Sequence, residues 1–122
     1  TQLSPVRVFD TRVGSPQGAV VVAQQRYGGG SVLRVKVAGA AGVPATGVGA
    51  VSLNVTVVGP SGAGFVTVFP CGTRPNASNL NFVAGQTVPN AVIAPLSAAG
   101  EVCVFSSVDT DLLADVNGYF AA

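Results

Sequence analysis

The sequence contains no methionine, no tryptophan and no histidine, and only 9% of its 122 residues are charged. The absence of histidine excludes catalytic triads and metal sites that depend on an imidazole. The net charge of +1 provides no basic stripe that displaces counterions from a phosphate backbone, so we expect no nucleic-acid partner. No apolar run approaches the roughly 18 residues of a membrane-spanning helix, so we expect no membrane insertion.

Glycine and proline are abundant instead, with 16 and 8 residues, and hydrophobic residues make up 48% of the chain. Much of the hydrophobic content is valine and alanine at alternate positions. This combination predicts many short strands joined by tight turns. The chain is long enough for one core, so we expect residues 1–122 to form a single all-β domain. No signal peptide is visible after Thr1, so we expect a mature protein or an excised module.

The stretch from Ala50 to Arg74 predicts two strands joined by a turn. Apolar and polar residues alternate from Val51 to Val57, which is the two-residue period of a half-buried strand. Residues 60–64 (PSGAG) have strong turn chemistry, and residues 65–69 are β-branched and aromatic. We therefore expect a β-hairpin here and a second one over residues 91–105.

The second strand of this unit has counterparts elsewhere in the chain. Its VxVF pattern ends at Phe69, and similar segments end at Phe9 and Phe105. A unit of strands, turns and a Thr-containing loop recurs about three times, and repeated units usually cannot bury an apolar face alone. We therefore expect a closed pseudo-threefold body, β-trefoil-like or β-prism-like. The alternative is a jelly-roll β-sandwich, because about nine short strands also fit two packed sheets.

The chain has two cysteines, Cys71 and Cys103, at similar places in two of these copies. We expect them to be neighbours in space and to form a disulfide that contributes about 3–4 kcal/mol by the chain-entropy model. Two buried thiols are the alternative, and the lack of histidine and of a CxxC motif disfavours a metal site. A disulfide implies an oxidising compartment, so we expect export.

The five acidic residues offer little for catalysis. A glycosidase needs two carboxylates across a cleft, and Asp10 and Asp115 lie beside strand ends. We interpret Asp10 as the cap of a turn, with Arg12 paired to a nearby carboxylate. Asp109 and Asp111 have the spacing of loop calcium sites, but two carboxylates are a poor ligand set, and a solvated loop is the preferred interpretation. We expect no enzyme activity, no cofactor and no metal.

Asparagine is frequent in and beside the predicted strands, although strands are normally depleted of it. Such side chains either satisfy the backbone groups of bends and turns or offer paired donors and acceptors to the vicinal hydroxyls of a sugar. Aromatic platforms are scarce, and Tyr119 is the ring that we expect to stack on a ligand. The candidate ligand-binding residues are Asp10, Arg12, Asn54, Asn81, Asn90, Asp115, Asn117 and Tyr119.

Short motifs occur in a fixed order along nearly the whole chain. They are Pro5–Arg12 (PVRVFDTR), Leu53–Thr56 (LNVT), Ser78–Phe82 (SNLNF) and Asp115–Phe120 (DVNGYF). This set resembles a module found, often in tandem, in secreted and surface proteins of actinobacteria. The resemblance implies a non-catalytic targeting role within a larger exported protein, secreted or at the cell surface, that binds a cell-envelope polysaccharide such as arabinogalactan. The alternative is a structural spacer or adhesion module without a small ligand.

Overall fold

The computed structural model describes all residues from Thr1 to Ala122, and it contains eight β-strands and no helix. The strands are β1 (Gln2–Asp10), β2 (Val32–Lys36), β3 (Val48–Val58), β4 (Gly64–Pro70), β5 (Leu80–Phe82), β6 (Val88–Pro95), β7 (Glu101–Ser106) and β8 (Asp111–Ala121). They form two four-stranded sheets, the first in the order β1-β8-β3-β6 and the second in the order β2-β7-β4-β5. The all-β prediction is confirmed. No helix that is long and apolar enough to cross a membrane occurs.

The first strand pairs with the last, the second with the second-to-last, and so on towards the middle of the chain. β1 pairs with β8, β2 with β7, β3 with β6, and β4 with β5, all antiparallel. The pairs β3–β8 and β4–β7 then join these hairpin-like pairs into the two sheets. This order is that of a jelly roll, an eight-stranded double-sheet fold. The two-sheet alternative therefore describes the observed arrangement.

The closed pseudo-threefold body is not observed, because the two sheets remain separate. The hairpin expected at residues 50–70 is absent, since β3 belongs to the first sheet and β4 to the second. The hairpin expected at residues 91–105 is absent for the same reason, with β6 and β7 in different sheets. The similar VxVF segments lie in β1, β4 and β7, of which only β4 and β7 are neighbours. Their likeness reflects shared strand patterning rather than a threefold axis.

The main core lies between the two sheets. In β3 the side chains from Val51 to Val57 alternate between buried and half-buried positions. The buried ones pack with Leu112 of the same sheet and with Val66 and Val104 of the second sheet, in one cluster of 22 buried residues. The alternate side chains of β3, including Asn54, therefore lie on the outer face of the first sheet.

A smaller apolar cluster lies on the outer face of the second sheet. Phe69, Cys103 and Phe105 are buried there, and Phe65 and Cys71 pack against them. The expected Cys71–Cys103 disulfide is present, with Cα atoms 4.9 Å apart. The register places Phe69 of β4 directly opposite Cys103 of β7, one residue before the end of β4. The disulfide therefore holds the start of the loop 71–79 against this outer cluster.

Candidate functional site

Asp10, the last residue of β1, is the centre of an ionic network that comprises Arg7, Asp10, Arg12 and Asp115. Its side chain is 1% exposed. Arg12 donates from Nε to Oδ1 at 3.0 Å and from Nη2 to Oδ2 at 2.7 Å, and its backbone N–H donates to Oδ1 at 3.0 Å. The backbone bond closes the Asx-type turn that the sequence predicts. The hydrogen bonds from Arg12 hold the pKa of Asp10 below its ordinary value of 3.8.

Arg7 connects Asp10 to Asp115. Its Nη1 donates to Asp10 Oδ2 at 2.9 Å, and its Nε donates to Asp115 Oδ1 at 2.5 Å. The two arginines and two aspartates of the ionic network therefore neutralise one another. The register also places Asn54 of β3 next to Asp115 of β8. Four of the predicted site residues, Asp10, Arg12, Asp115 and Asn54, thus lie together, but three of them direct their charges at each other or at Arg7.

The lowered pKa of Asp10 predicts a pH-dependent contribution to stability. A carboxyl whose pKa is lower in the folded than in the unfolded protein stabilises the fold above the unfolded value, about 3.9, and loses this contribution as the pH falls through the folded value. Wild-type protein is therefore expected to lose stability more steeply than Asp10→Asn below about pH 4. Urea unfolding at a series of acidic pH values measures this difference. Parallel curves for the two proteins would show that the pKa of Asp10 is not lowered.

The carboxylate of Asp111 is also engaged within the chain. Thr11 Oγ1 donates to Asp111 Oδ1 at 3.1 Å, and Arg26 Nη1 lies 3.4 Å from Asp111 Oδ2. Arg26 Nη2 donates to the backbone carbonyl of Asp109 at 3.1 Å. No group of three or more metal-ligating side chains is found in the structure. The Asp109–Asp111 loop is thus held by an arginine and a threonine.

Asn117 and Tyr119 lie at the other end of β8. The register shifts between Ser52 and Leu53, which leaves Asn117 as an extra residue in a bulge. Both residues line a depression of about 260 Å³ at this end of β8. The Tyr119 ring packs against the main core, so only part of it is available to a ligand. Stacking of a sugar on Tyr119 stays a prediction.

Asn90 has a structural contact at the edge of the first sheet. Its Nδ2 donates to the backbone carbonyl of Asn79 at 2.6 Å. The side chain of Asn79 accepts from the backbone N–H of Val68 at 2.7 Å. One of these amides satisfies a backbone carbonyl just before β5 and the other a backbone N–H within β4, which is the structural use of asparagine that the sequence allows.

Asn81 lines a depression of about 240 Å³ that we call the loop pocket. Its walls are Phe65, Arg74, Asn76, Ala77, Ser78 and Asn81. Asn81 of β5 lies directly opposite Phe65 of β4, and Ser78 Oγ donates to Asn81 Oδ1 at 3.3 Å. Thr67 Oγ1 donates to the carbonyl of Ala77 at 2.5 Å and holds the far end of the loop on β4. The loop 71–79 is thus attached at both ends.

Arg74 forms one side of the loop pocket. Its Cζ lies over the ring of Phe105, 3.7 Å from the ring centroid. The Phe105 ring in turn lies 5.8 Å from the ring of Phe65, centroid to centroid. A cation over an aromatic face is attracted by the negative charge of that face. The position of Arg74 is therefore set by an aromatic pair that belongs to the second sheet.

Sequence reasoning identified Asn81 but missed the other walls of the loop pocket. One signal was present in β4, where Phe65, Thr67 and Phe69 alternate with valines, so that both faces of the strand are largely apolar. A strand that is apolar on both faces is buried on both, so something covers its outer face. The cover is the loop 71–79, which carries Arg74, Asn76 and Ser78.

Comparisons of the chain with protein-family models, with curated proteins and with solved structures found no match. The resemblance to the actinobacterial surface module therefore stays a prediction. The geometry and chemistry of the loop pocket are therefore the structural indication of what this protein binds.

Proposed function

We propose that the protein is a non-catalytic carbohydrate-binding module and that the loop pocket is its binding site. The observation that carries the proposal is the composition of this pocket, which combines an aromatic ring with amide, hydroxyl and guanidinium groups. Phe65 offers an apolar surface to the C–H face of a sugar ring. Asn76 and Asn81 supply both donors and acceptors to vicinal hydroxyls.

The size of the loop pocket favours an extended ligand. Its volume of about 240 Å³ lies below the roughly 300–1,000 Å³ of pockets that enclose a drug-sized molecule. Most of its lining side chains are exposed. Such a shallow site suits contact with a short stretch of a long polymer, whose remaining sugars stay in solvent.

The positions of the acidic residues support binding rather than hydrolysis. A glycosidase places two carboxyl groups on either side of the bond that it cleaves. None of the residues that line the loop pocket is acidic. Asp10 and Asp115 are joined through Arg7 on the other sheet. A ligand in the loop pocket therefore meets no general acid or base from this chain.

The biological setting of this proposal is a cell envelope. The resemblance to secreted actinobacterial modules supports an arabinogalactan-like polysaccharide as ligand, and a place within a larger exported protein. The Cys71–Cys103 disulfide suits an oxidising compartment outside the cytosol. The second candidate function is a spacer or adhesion module, and the observation that favours it is the self-neutralised ionic network around Asp10.

Replacement of Asn81 by alanine is expected to weaken polysaccharide binding about five- to tenfold, which corresponds to the loss of one or two net hydrogen bonds. The exposed Asn81 is not part of the core, so the variant is expected to fold normally. Asn54→Ala is the matched control, because Asn54 is a strand asparagine on the outer face of the first sheet. Affinity electrophoresis in arabinogalactan and in purified envelope polysaccharides measures the binding.

Each other outcome has a distinct meaning. If folded wild-type protein is retained by no envelope polysaccharide, the binding function is wrong and the spacer function stands. If Asn54→Ala loses binding and Asn81→Ala does not, the site lies on the outer face of the first sheet. Turnover of a wall glycan that disappears in Asp10→Asn or Asp115→Asn would contradict the non-catalytic assignment.

A further inference from the structure

Arg74 differs from the other arginines of the chain in having no acidic partner. Each of the others forms an ion pair with a carboxylate; they are Arg7, Arg12, Arg26 and Arg34. In a chain with six basic and five acidic residues, this leaves Arg74 as a positive charge in a pocket without an acid. The loop pocket therefore has a positive charge on Arg74 that a neutral ligand cannot pair with a negative charge.

The aromatic contact leaves the binding groups of Arg74 available. The ring of Phe105 lies beneath the guanidinium carbon at 3.7 Å, so it occupies one face of the group. The N–H donors of a guanidinium lie in its plane and point outward from its edges. A guanidinium held by its face is thus prepared to form two parallel hydrogen bonds with a planar carboxylate.

We propose that the loop pocket selects sugar residues that carry a carboxylate, with Arg74 as the group that binds it. This inference rests on the proposed carbohydrate-binding function and narrows the ligand to acidic sugars of the uronic acid type. Asn76, Ser78 and Asn81 bind hydroxyls of the same residue or its neighbour. A singly charged carboxylate fits better than a phosphate, because one arginine supplies one positive charge and no second basic residue lines the pocket.

The test compares two ligands that differ in one functional group, a carboxylate or its neutral methyl ester. Oligogalacturonate and its methyl ester have the same sugars and linkages, but the ester is neutral. Wild-type protein is expected to bind the free acid about three- to tenfold more tightly than the ester, because the exposed Arg74 forms a bidentate pair with the carboxylate but not with the ester. This preference is expected to decrease at high salt, because the pair is at the surface. Isothermal titration calorimetry measures both affinities.

Arg74→Gln is expected to remove the preference and to bind both forms about equally. Lys36→Gln is the matched control, because it removes one positive charge from the same sheet at a depression beside Ser97 and Gly100. It is expected to keep the wild-type preference. Arg74→Lys keeps the charge without the planar donors, and it is expected to recover only part of the preference. Thermal unfolding confirms that each variant is folded.

The outcomes separate this inference from the function on which it rests. Equal wild-type affinity for acid and ester overturns the acidic preference and leaves carbohydrate binding intact. Binding of neither form, together with retention by a neutral envelope polysaccharide, also overturns the preference alone. An acid preference that persists in Arg74→Gln overturns the role of Arg74. Binding to no glycan of any charge overturns both proposals.

Discussion

Replacement of Asp10 by alanine is expected to lower the free energy of unfolding by about 2–4 kcal/mol. Asp10 is almost fully covered, and it accepts hydrogen bonds from two arginine side chains and one backbone N–H. Asp10→Ala loses the Asx-type turn that Asp10 forms with the backbone N–H of Arg12. It also leaves the guanidinium groups of Arg7 and Arg12 without the carboxylate that they share. Both arginine side chains are more than one third exposed, so they turn partly to solvent, which keeps the loss below that of a fully buried pair.

Urea unfolding at neutral pH measures this loss, and Asp109→Ala is the matched control. Asp109 is an exposed aspartate whose side chain forms no ion pair. Its removal is expected to change the stability by less than about 0.5 kcal/mol. Asp10→Asn keeps the shape but removes the charge, and it is expected to lie between wild type and Asp10→Ala. If Asp10→Ala is as stable as Asp109→Ala, the ionic network does not stabilise the fold.

The strand content was predictable because it is a local property. The alternation from Val51 to Val57 follows from burying one face of a strand, whatever partner that strand has. The partner was not predictable in the same way. The turn residues between β3 and β4 specify a reversal of the chain, but a reversal leads equally well to a neighbouring strand or to the opposite sheet. β3 instead pairs with β6 and β8, and such distant pairings leave no local signal.

The disulfide was predicted correctly from a premise that the structure does not support. The premise was that Cys71 and Cys103 occupy equivalent places in two copies of a repeat. The structure brings them together because β4 and β7 are neighbours with Phe69 opposite Cys103, and Cys71 follows β4 directly. The likeness of the VxVF segments does not itself indicate a shared sheet, because the third such segment lies in β1 of the other sheet.

The polar residues of the site could be predicted from the sequence only in part. Asparagine in strands was a sound signal, since Asn79, Asn81 and Asn90 all have specific contacts or line the loop pocket. The same signal does not distinguish an amide that completes backbone pairing from one that faces a ligand. That distinction depends on the path of the loop 71–79, which is set by a disulfide and by contacts with β4.

Removal of the disulfide by the double replacement Cys71→Ala and Cys103→Ala is expected to lower the free energy of unfolding by about 3–4 kcal/mol. The bond joins residues separated by 32 positions, and the unfolded chain regains the freedom of that loop when the bond is absent. Urea unfolding with and without a reducing agent measures the effect. The chain has only two cysteines, so reduction of wild type is expected to match the double variant.

The double variant itself is the control, because a reducing agent has no bond to act on in it. A loss of less than about 1 kcal/mol in both reduced wild type and the double variant would mean that the folded chain gains little from this bond. A reducing agent that destabilises the double variant would show an effect unrelated to the disulfide. The first result would show that the chain-entropy argument for this loop is wrong, and the second would require that the effect of the reducing agent be subtracted before the comparison.

The disulfide is also expected to affect binding in protein that remains folded. The far end of the loop 71–79 is held on β4 by the Thr67–Ala77 and Val68–Asn79 hydrogen bonds, whereas the near end depends on Cys71. Reduction therefore frees the part that carries Arg74 over Phe105, and a ligand then has to order that part as it binds. We expect reduced protein to bind the ligand of the loop pocket more weakly than oxidised protein. The decrease in apparent affinity is expected to be larger than the fraction of unfolded molecules alone would cause. Equal affinity of oxidised and reduced folded protein would show that the contacts at the far end of the loop are sufficient to form the site.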